Sequence, residues 1–202
     1  MSPAADAALY PVFLRLAGRR VLVVGGGRVA SGRIPALLAT GARVVVVAPE
    51  VRPEIADQPI VIERRPFRAP DVDGAWLVVA AAPPEVNRVV GAAAEARRVF
   101  VNAVDDPRSA TAYTAGVLRR SGVTVALSTD GRAPALAGLL REALEAALPE
   151  DTAEWLAVAE TLRLEQKKGG VPLERRRPLL LEALNRLYAA PRSGAPQLEA
   201  RS

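Results

Sequence analysis

Apolar residues come in short blocks along the first half of the chain. Val21 to Val24 are consecutive apolar residues, mostly β-branched, bounded by Arg20 and Gly25. That is the pattern of a strand buried on both faces in a parallel sheet. The same pattern recurs at Arg43–Ala48 (RVVVVA), Pro59–Arg65 (PIVIERR), Ala75–Ala82 (AWLVVAAA) and Val99–Val104 (VFVNAV). Between these runs, Val29–Thr40 reads as a helix closed by Gly41, and Pro83-Pro84 opens another that runs to about Arg97. Pro35 is expected to kink the first of these helices or to shift its start. Apolar strands alternating with helices predict an α/β fold, a doubly wound and mostly parallel sheet.

From Ala110 onward the pattern changes. Ala112–Leu118 and Val123–Ser128 are β-like runs joined by Arg119-Arg120-Ser121-Gly122, which predicts an antiparallel hairpin. Pro134–Leu148 is an amphipathic helix. Asp151-x-x-Glu154 has the form of a capping box for a helix reaching Lys168, ended by Gly169-Gly170, and Pro172–Ala190 gives one more, interrupted early by Pro178. The tail from Pro191 is rich in Pro, Gly, Ser and Ala and is expected to fray. The chain is therefore expected to divide into an α/β domain (1–109), a middle segment (110–149) and a C-terminal helical region (150–202). A hairpin and one helix are too little to fold alone. Unless the middle segment packs on the first domain it needs a partner chain, and a homodimer is the economical expectation.

The chemistry concentrates where the first strand ends. Gly25, Gly27 and Ala30 fall at the spacing G-x-G-x-x-A between a strand and a helix. The first glycine permits a tight turn, the second lets the backbone approach a phosphate, and the small third residue lets helix and strand pack closely. The helix N-terminus at Arg28, Val29 and Ala30 then offers N–H groups to an anion. A glycine turn with a purely structural role is the competing reading. Ligands of such sheets gather at the carboxyl ends of the strands. That rule adds Ala48–Glu50, Ala80–Ala82 and Asn102–Asp105, and makes Gly25, Gly26, Gly27, Arg28, Val29, Ala30, Glu50, Ala81 and Asn102 the candidate contacts of a dinucleotide, NAD by expectation. Glu50 is placed to bond the adenosine ribose, and Arg52 leaves NADP open.

Composition removes several chemistries. The chain of 202 residues has no cysteine and no histidine. Thiol nucleophiles, zinc–thiolate sites, imidazole metal ligands and Ser-His-Asp triads are excluded, so proton transfer falls to Asp, Glu, Lys, Tyr or water. The net charge of +5 favours an anionic partner. With only 4% aromatic residues the stacking surface of a single-strand nucleic-acid binder is thin, and no nucleic-acid partner is expected. No apolar run is long enough to cross a bilayer, and MSPAADAALYPVF lacks the features of a secretory signal. The expected location is the cytoplasm, with no membrane partner.

Four blocks in register, YPVFLRLAGRRVLVVGGGRVA, GARVVVVAPE, VFVNAVDDP and VALSTDGRAPALAGLLREALEAALP, resemble the precorrin-2 dehydrogenase and sirohydrochlorin ferrochelatase family, also found as the N-terminal module of siroheme synthases. The resemblance covers about Tyr10 to Pro149. It implies a Rossmann-like domain followed by a hairpin/helix dimerisation segment and a helical region. The implied activity is NAD-dependent oxidation of precorrin-2 to sirohydrochlorin. In many members ferrous iron is also inserted, as a substrate, to give siroheme. The family's key carboxylate falls on Asp105, as general base, as a transient metal ligand, or as both; the alternative is that it caps the turn before Pro107. Ser128 and Thr129 match the family's Ser-rich turn, associated with tetrapyrrole binding, and otherwise cap the helix near Pro134. Arg119, Arg120 and Arg132 are candidate partners of the substrate's carboxylates, since guanidinium suits carboxylate. Where the family has Ala-Thr-Asp-Asp after the fourth strand, this chain has Ala81-Ala82-Pro83-Pro84. A dehydrogenase without chelatase activity, and a non-catalytic NAD(H)-sensing module, are the alternatives.

Overall fold

The computed structural model describes residues 9–104, 106, 109–130 and 132–189. The described residues divide into two compact units, one running to Ala115 and taking in Ser128–Pro134, the other made of Gly116–Leu127 and the residues from Ala135 onward. The first holds β1 (Arg20–Val24), α1 (Arg28–Leu38), β2 (Arg43–Val47), the short α2 (Pro53–Ala56), β3 (Val61–Glu63), a 3-10 turn at Ala69–Val72, β4 (Leu77–Ala80), α3 (Pro84–Ala96) and β5 (Phe100–Ala103). All five strands run parallel in the order β3-β2-β1-β4-β5. The chain winds outward from β1 to β3, then returns to the other side of β1 at β4, so the connection reverses between β1 and β4.

Each strand of this sheet is apolar because both of its faces are covered. Val21 and Val23 of β1 face a cluster with Val44, Val46, Leu77 and Val79, closed by Ala30 and Ile34 of α1 and Ile55 of α2. Leu22 and Val24 face the opposite cluster, with Val78, Ala80 and Val101, closed by Val90 of α3 and Val72 of the 3-10 turn. Alternate side chains of one strand thus seed two cores, which is why the run reads as continuous rather than alternating.

The helix α1 starts at Arg28 and continues through Pro35. Its start is not shifted, contrary to one expectation for Pro35. The missing N–H of Pro35 costs the helix the bond to the Ser31 carbonyl, while the Pro35 carbonyl still accepts from Ala39 at 3.0 Å. Ile34, fully buried beside it, holds that stretch of helix on the sheet. β3 is shorter than its apolar run. The chain beyond it is held by Arg65, whose guanidinium bonds both carboxylate oxygens of Asp71 at 2.8 and 2.7 Å and Glu63 at 2.9 Å.

The hairpin forms, with two differences from its sequence pattern. Its strands are β6 (Gly116–Arg120) and β7 (Val123–Leu127), paired antiparallel with Arg120 opposite Val123. Arg119 and Arg120 are therefore strand residues, and the turn is Ser121-Gly122 alone, with φ of 49° and 82°. Positive φ at both central residues is the signature of the tight type I′ turn, whose twist matches that of the strands. The residues before Gly116 do not join β6 because β5 claims them. The Thr111 and Ala112 N–H groups donate to the Val101 carbonyl, the Thr111 hydroxyl accepts from the Val101 N–H, and Asn102 donates to the Ala112 carbonyl.

The second unit adds α4 (Pro134–Ala147, largely in this unit), α5 (Thr152–Lys168) and α6 (Leu173–Ala189). Asp151 is the N-cap of α5 without a side-chain capping bond, so the expected capping box does not form; the Thr152 hydroxyl donates to the Pro149 carbonyl instead. At the other end Gly170 (φ 63°) reverses the chain and the Val171 N–H donates to the Gln166 carbonyl at 2.9 Å. This is the helix stop that Gly169-Gly170 predicts. The helix α6 runs through Pro178, so that proline does not interrupt it. Among the described residues no helix is long and apolar enough to cross a membrane.

Candidate functional site: a cleft at the switch point of the sheet

Backbone bonds carry the sheet past the strand ends and fix the loops there. Gly25 donates to the Val47 carbonyl (3.0 Å), Ala81 to Val24 (2.8 Å), Val104 to Ala80 (3.0 Å) and Ala48 to Glu63 (3.1 Å). The loops so held surround a cleft of about 1050 Å³. Its floor is Gly25, Gly26 and Gly27, its walls include Glu50, Arg52 and Ala81, and Phe67, Val86 and Val89 give it an apolar side.

The three glycines have distinct reasons for being glycine. Gly25 adopts φ 117°, and a Cβ there would overlap the Ala81 carbonyl. A Cβ on Gly26 would overlap the Glu50 carbonyl, while the Gly26 carbonyl accepts from the Arg52 N–H at 3.0 Å. Gly27 is different: nothing lies within 4 Å of where its Cβ would stand. Gly27 is the N-cap of α1, with no side-chain cap and no acidic residue in the first turn. The amide groups of that turn are thus left for an anion. Arg28 and Val29 are exposed at the turn's surface, whereas Ala30 is fully buried against the sheet and contributes packing.

Of the other candidate contacts, Glu50 and Ala81 line this cleft together with the glycines. Asn102 is engaged elsewhere: its amide donates to the Ala112 carbonyl (2.9 Å) and its oxygen accepts from the Thr114 hydroxyl (3.1 Å). Asp105 lies outside the described residues; on its two sides Val104 is bonded to Ala80, and Asp106 accepts from the Ser109 hydroxyl at 2.7 Å.

Ser128 and Thr129 organise their own turn. The Ser128 hydroxyl accepts from the Asp130 N–H (3.0 Å) and the Thr129 hydroxyl from the Ala133 N–H (3.2 Å), just ahead of α4. Arg132 is exposed and within 3.6 Å of Asp130. In the second unit Arg119 is exposed, and Arg120, on the opposite face of β6, donates to the Leu148 carbonyl at 2.8 Å.

Two functional details escape the sequence patterns. Asn87, 3% exposed in α3, accepts from the Ala82 N–H through its side-chain oxygen at 3.0 Å and so shapes the loop after β4. No local pattern announces it: which acceptor satisfies the Ala82 amide is settled only once the chain turns into α3. The other is the bond of Arg52 to Glu54, through Nε at 3.1 Å and Nη2 at 2.8 Å. It raises the Arg52 pKa and lowers that of Glu54, in each case chiefly through the hydrogen bond.

A parallel sheet in this order, with a glycine turn at its switch point and an uncapped helix behind it, defines a dinucleotide-binding protein of the Rossmann class. The chain belongs to the family described as "Putative NAD(P)-binding", whose model matches residues 12–116. Among curated proteins it is similar to Siroheme synthase 3 of Aeromonas hydrophila, 43% identical over 76% of this chain and 34% of the relative. Siroheme synthase of Chromobacterium violaceum is 44% identical over 69% of this chain and 31% of its own length. That of Salmonella typhi is 37% identical over 83% and 38%. The chain therefore spans about a third of the length of these relatives. Among solved structures it is similar to SirC, precorrin-2 dehydrogenase, at 28% identity and a TM-score of 0.65, covering 86% of this chain and 88% of that one.

Proposed function

We propose that this chain is a precorrin-2 dehydrogenase, which oxidises precorrin-2 to sirohydrochlorin in siroheme biosynthesis with NAD as hydride acceptor. The likeness to SirC over nearly the whole of both chains carries this reading, because it extends beyond the nucleotide-binding unit that many unrelated enzymes share. The cleft supports the cofactor: Gly27 leaves room for a pyrophosphate and α1 presents its amide groups there.

When bound, NAD supplies the hydride acceptor. The substrate loses a hydride to the nicotinamide and a proton to a base, so the oxidation balances as two electrons and two hydrogens. We assign the base to Asp105, two residues after β5 in sequence and next in sequence to Val104, whose N–H is bonded to the Ala80 carbonyl. Chelation of ferrous iron, a substrate, would draw on the same carboxylate. The proposed substrate-binding residues are Ser128, Thr129 and Arg132 of the first unit and Arg119 and Arg120 of the second, whose donors suit a polycarboxylate tetrapyrrole; residues 110–149 are proposed as the substrate and dimerisation segment, and 150–202 as a helical region. A homodimer in the cytoplasm is part of this reading. The exposed leucines 136, 139, 140 and 144 of α4, spaced at helical intervals, support it as an apolar face suited to a second copy.

Anaerobic incubation with precorrin-2 and NAD tests the function. NADH absorbance and the sirohydrochlorin spectrum are expected to rise together, and the proposal fails if neither does. Supplying sirohydrochlorin with ferrous iron, or cobalt as surrogate, separates the bifunctional enzyme from the dehydrogenase: only the former accelerates insertion over the uncatalysed rate.

A further inference from the structure

The segment from the loop after β2 into α2 carries three charged side chains in alternation, Glu50, Arg52 and Glu54. Glu50 and Arg52 line the cleft, and their loop is held to the phosphate-side turn at two points. The Glu50 carbonyl fills the space beside Gly26, and the Arg52 N–H donates to the Gly26 carbonyl. A dinucleotide whose pyrophosphate rests on Gly25–Gly27 therefore presents its adenosine ribose to this loop, at a distance that backbone contacts fix. Whether that ribose carries a 2′-hydroxyl or a 2′-phosphate decides which side chains suit it. A phosphate asks for an arginine fork, a hydroxyl for a carboxylate.

The arginine of the cleft wall has its fork turned to a neighbour. Two nitrogens of Arg52 are bonded to the two oxygens of Glu54, from the first turn of α2. Among the described residues the Glu50 carboxylate has no partner in the fold, which leaves it for a ribose hydroxyl. A 2′-phosphate reaching this loop meets an arginine already neutralised and a carboxylate on either side of it.

We infer that Glu54 is a specificity-determining residue acting through Arg52: by occupying the guanidinium it withholds the cation a 2′-phosphate requires, and so sets the cleft for NAD over NADP. Glu54 is thus a positioning residue, and Glu50 is the group that meets the ribose. The inference rests on reading the cleft as a dinucleotide site.

The test is direct binding of NADH and of NADPH to the full chain by nicotinamide fluorescence, with no turnover required. Wild type, Glu54→Gln, Glu54→Asp and the double variant Arg52→Ala/Glu54→Gln are compared, each checked by circular dichroism. Wild type is expected to bind NADH more tightly. Glu54→Gln is expected to tighten NADPH about tenfold while NADH stays within about twofold, because a released arginine fork gains charge-assisted bonds to phosphate. Glu54→Asp should keep the wild-type ratio, and the double variant should lose the gain. An unchanged NADPH-to-NADH ratio in Glu54→Gln, equal weakening of both, or a gain that survives loss of Arg52 overturns the inference while leaving the dinucleotide site standing. A wild-type preference for NADPH does the same. Failure of both dinucleotides to bind wild type overturns the cofactor reading and the inference together.

Discussion

Gly26 and Glu50 meet backbone to backbone: the Glu50 carbonyl oxygen stands where a Gly26 side chain would begin. Neither partner can yield cheaply, because the Gly26 carbonyl is bonded to the Arg52 N–H and the Glu50 loop follows directly on β2. Gly26→Ala should therefore cost about 1–3 kcal/mol of stability, the usual penalty of overpacking against backbone, and lower NADH affinity with it. Gly27→Ala has open space and φ −88°. It should keep the wild-type melting temperature within about one degree, yet weaken NADH about tenfold, since its methyl enters the phosphate's path. Thermal melts with a fluorescence titration of each variant separate the two; equal losses would contradict the distinction.

Asn87 offers a second stability test away from the ligand. Its side-chain oxygen is the partner of the Ala82 N–H in a nearly closed environment. Asn87→Ala should lose about 1–3 kcal/mol, the cost of a buried donor left without an acceptor, measured by urea denaturation. A change below about 0.5 kcal/mol would mean that the amide finds another partner.

The Arg65–Asp71 pair gives a pH dependence with a defined sign. Hydrogen bonds from Arg65, first, and then from the Arg68 N–H hold the Asp71 carboxyl below its ordinary range, against the opposing effect of burial. A depressed carboxyl contributes stability above the pKa of the unfolded chain, near 4, and loses it as the pH falls through the folded value. The stability difference between wild type and Asp71→Asn should thus be level from about pH 8 to 5 and shrink below about pH 4. A difference that grows on acidification would refute the assignment.

The hairpin turn can be improved. Ser121 holds φ 49°, which suits asparagine better than serine in a type I′ turn. Ser121→Asn is expected to stabilise the second unit by about 0.5 kcal/mol, whereas Gly122→Ala, at φ 82° and facing the Leu156 side chain, should destabilise it by about 1–2 kcal/mol. Denaturation followed at Trp155, in the same unit, reads both.

For the reaction itself, Asp105→Asn should lower kcat by about 10²–10⁴-fold with NADH affinity unchanged, the range for loss of a general base. Full activity in that variant would return Asp105 to the role of a turn cap.

The nucleotide-binding unit was legible from sequence because its strands are buried on both faces, so Val21–Val24 and Leu77–Ala80 read as uninterrupted apolar runs. The glycine turn was legible too, since its spacing reports backbone geometry. The start of β6 was not. Thr111, Ala112 and Thr114 look like strand residues, but their hydrogen-bonding groups are taken by Val101 and Asn102, and no local pattern announces a competition between distant segments. The hairpin turn looks longer in the sequence than it is for a related reason: arginine at a strand end resembles a turn residue, and only the pairing of Arg120 with Val123 makes it part of the strand. Arg52–Glu54 was hidden because an exposed charge pair has no periodicity to betray it.

The bond from the Arg52 N–H to the Gly26 carbonyl, together with the place of β1 at the centre of its sheet, bears on kinetics as well as affinity. The turn that would receive a phosphate hangs from a strand paired on both sides, so its backbone is held in place although the first-turn amides of α1 are themselves unbonded and open to exchange. A ligand arriving there meets a surface already in its final form and bears little ordering entropy. Association should then be fast and nearly the same for every dinucleotide that fits, and discrimination among them should appear in how long each one stays.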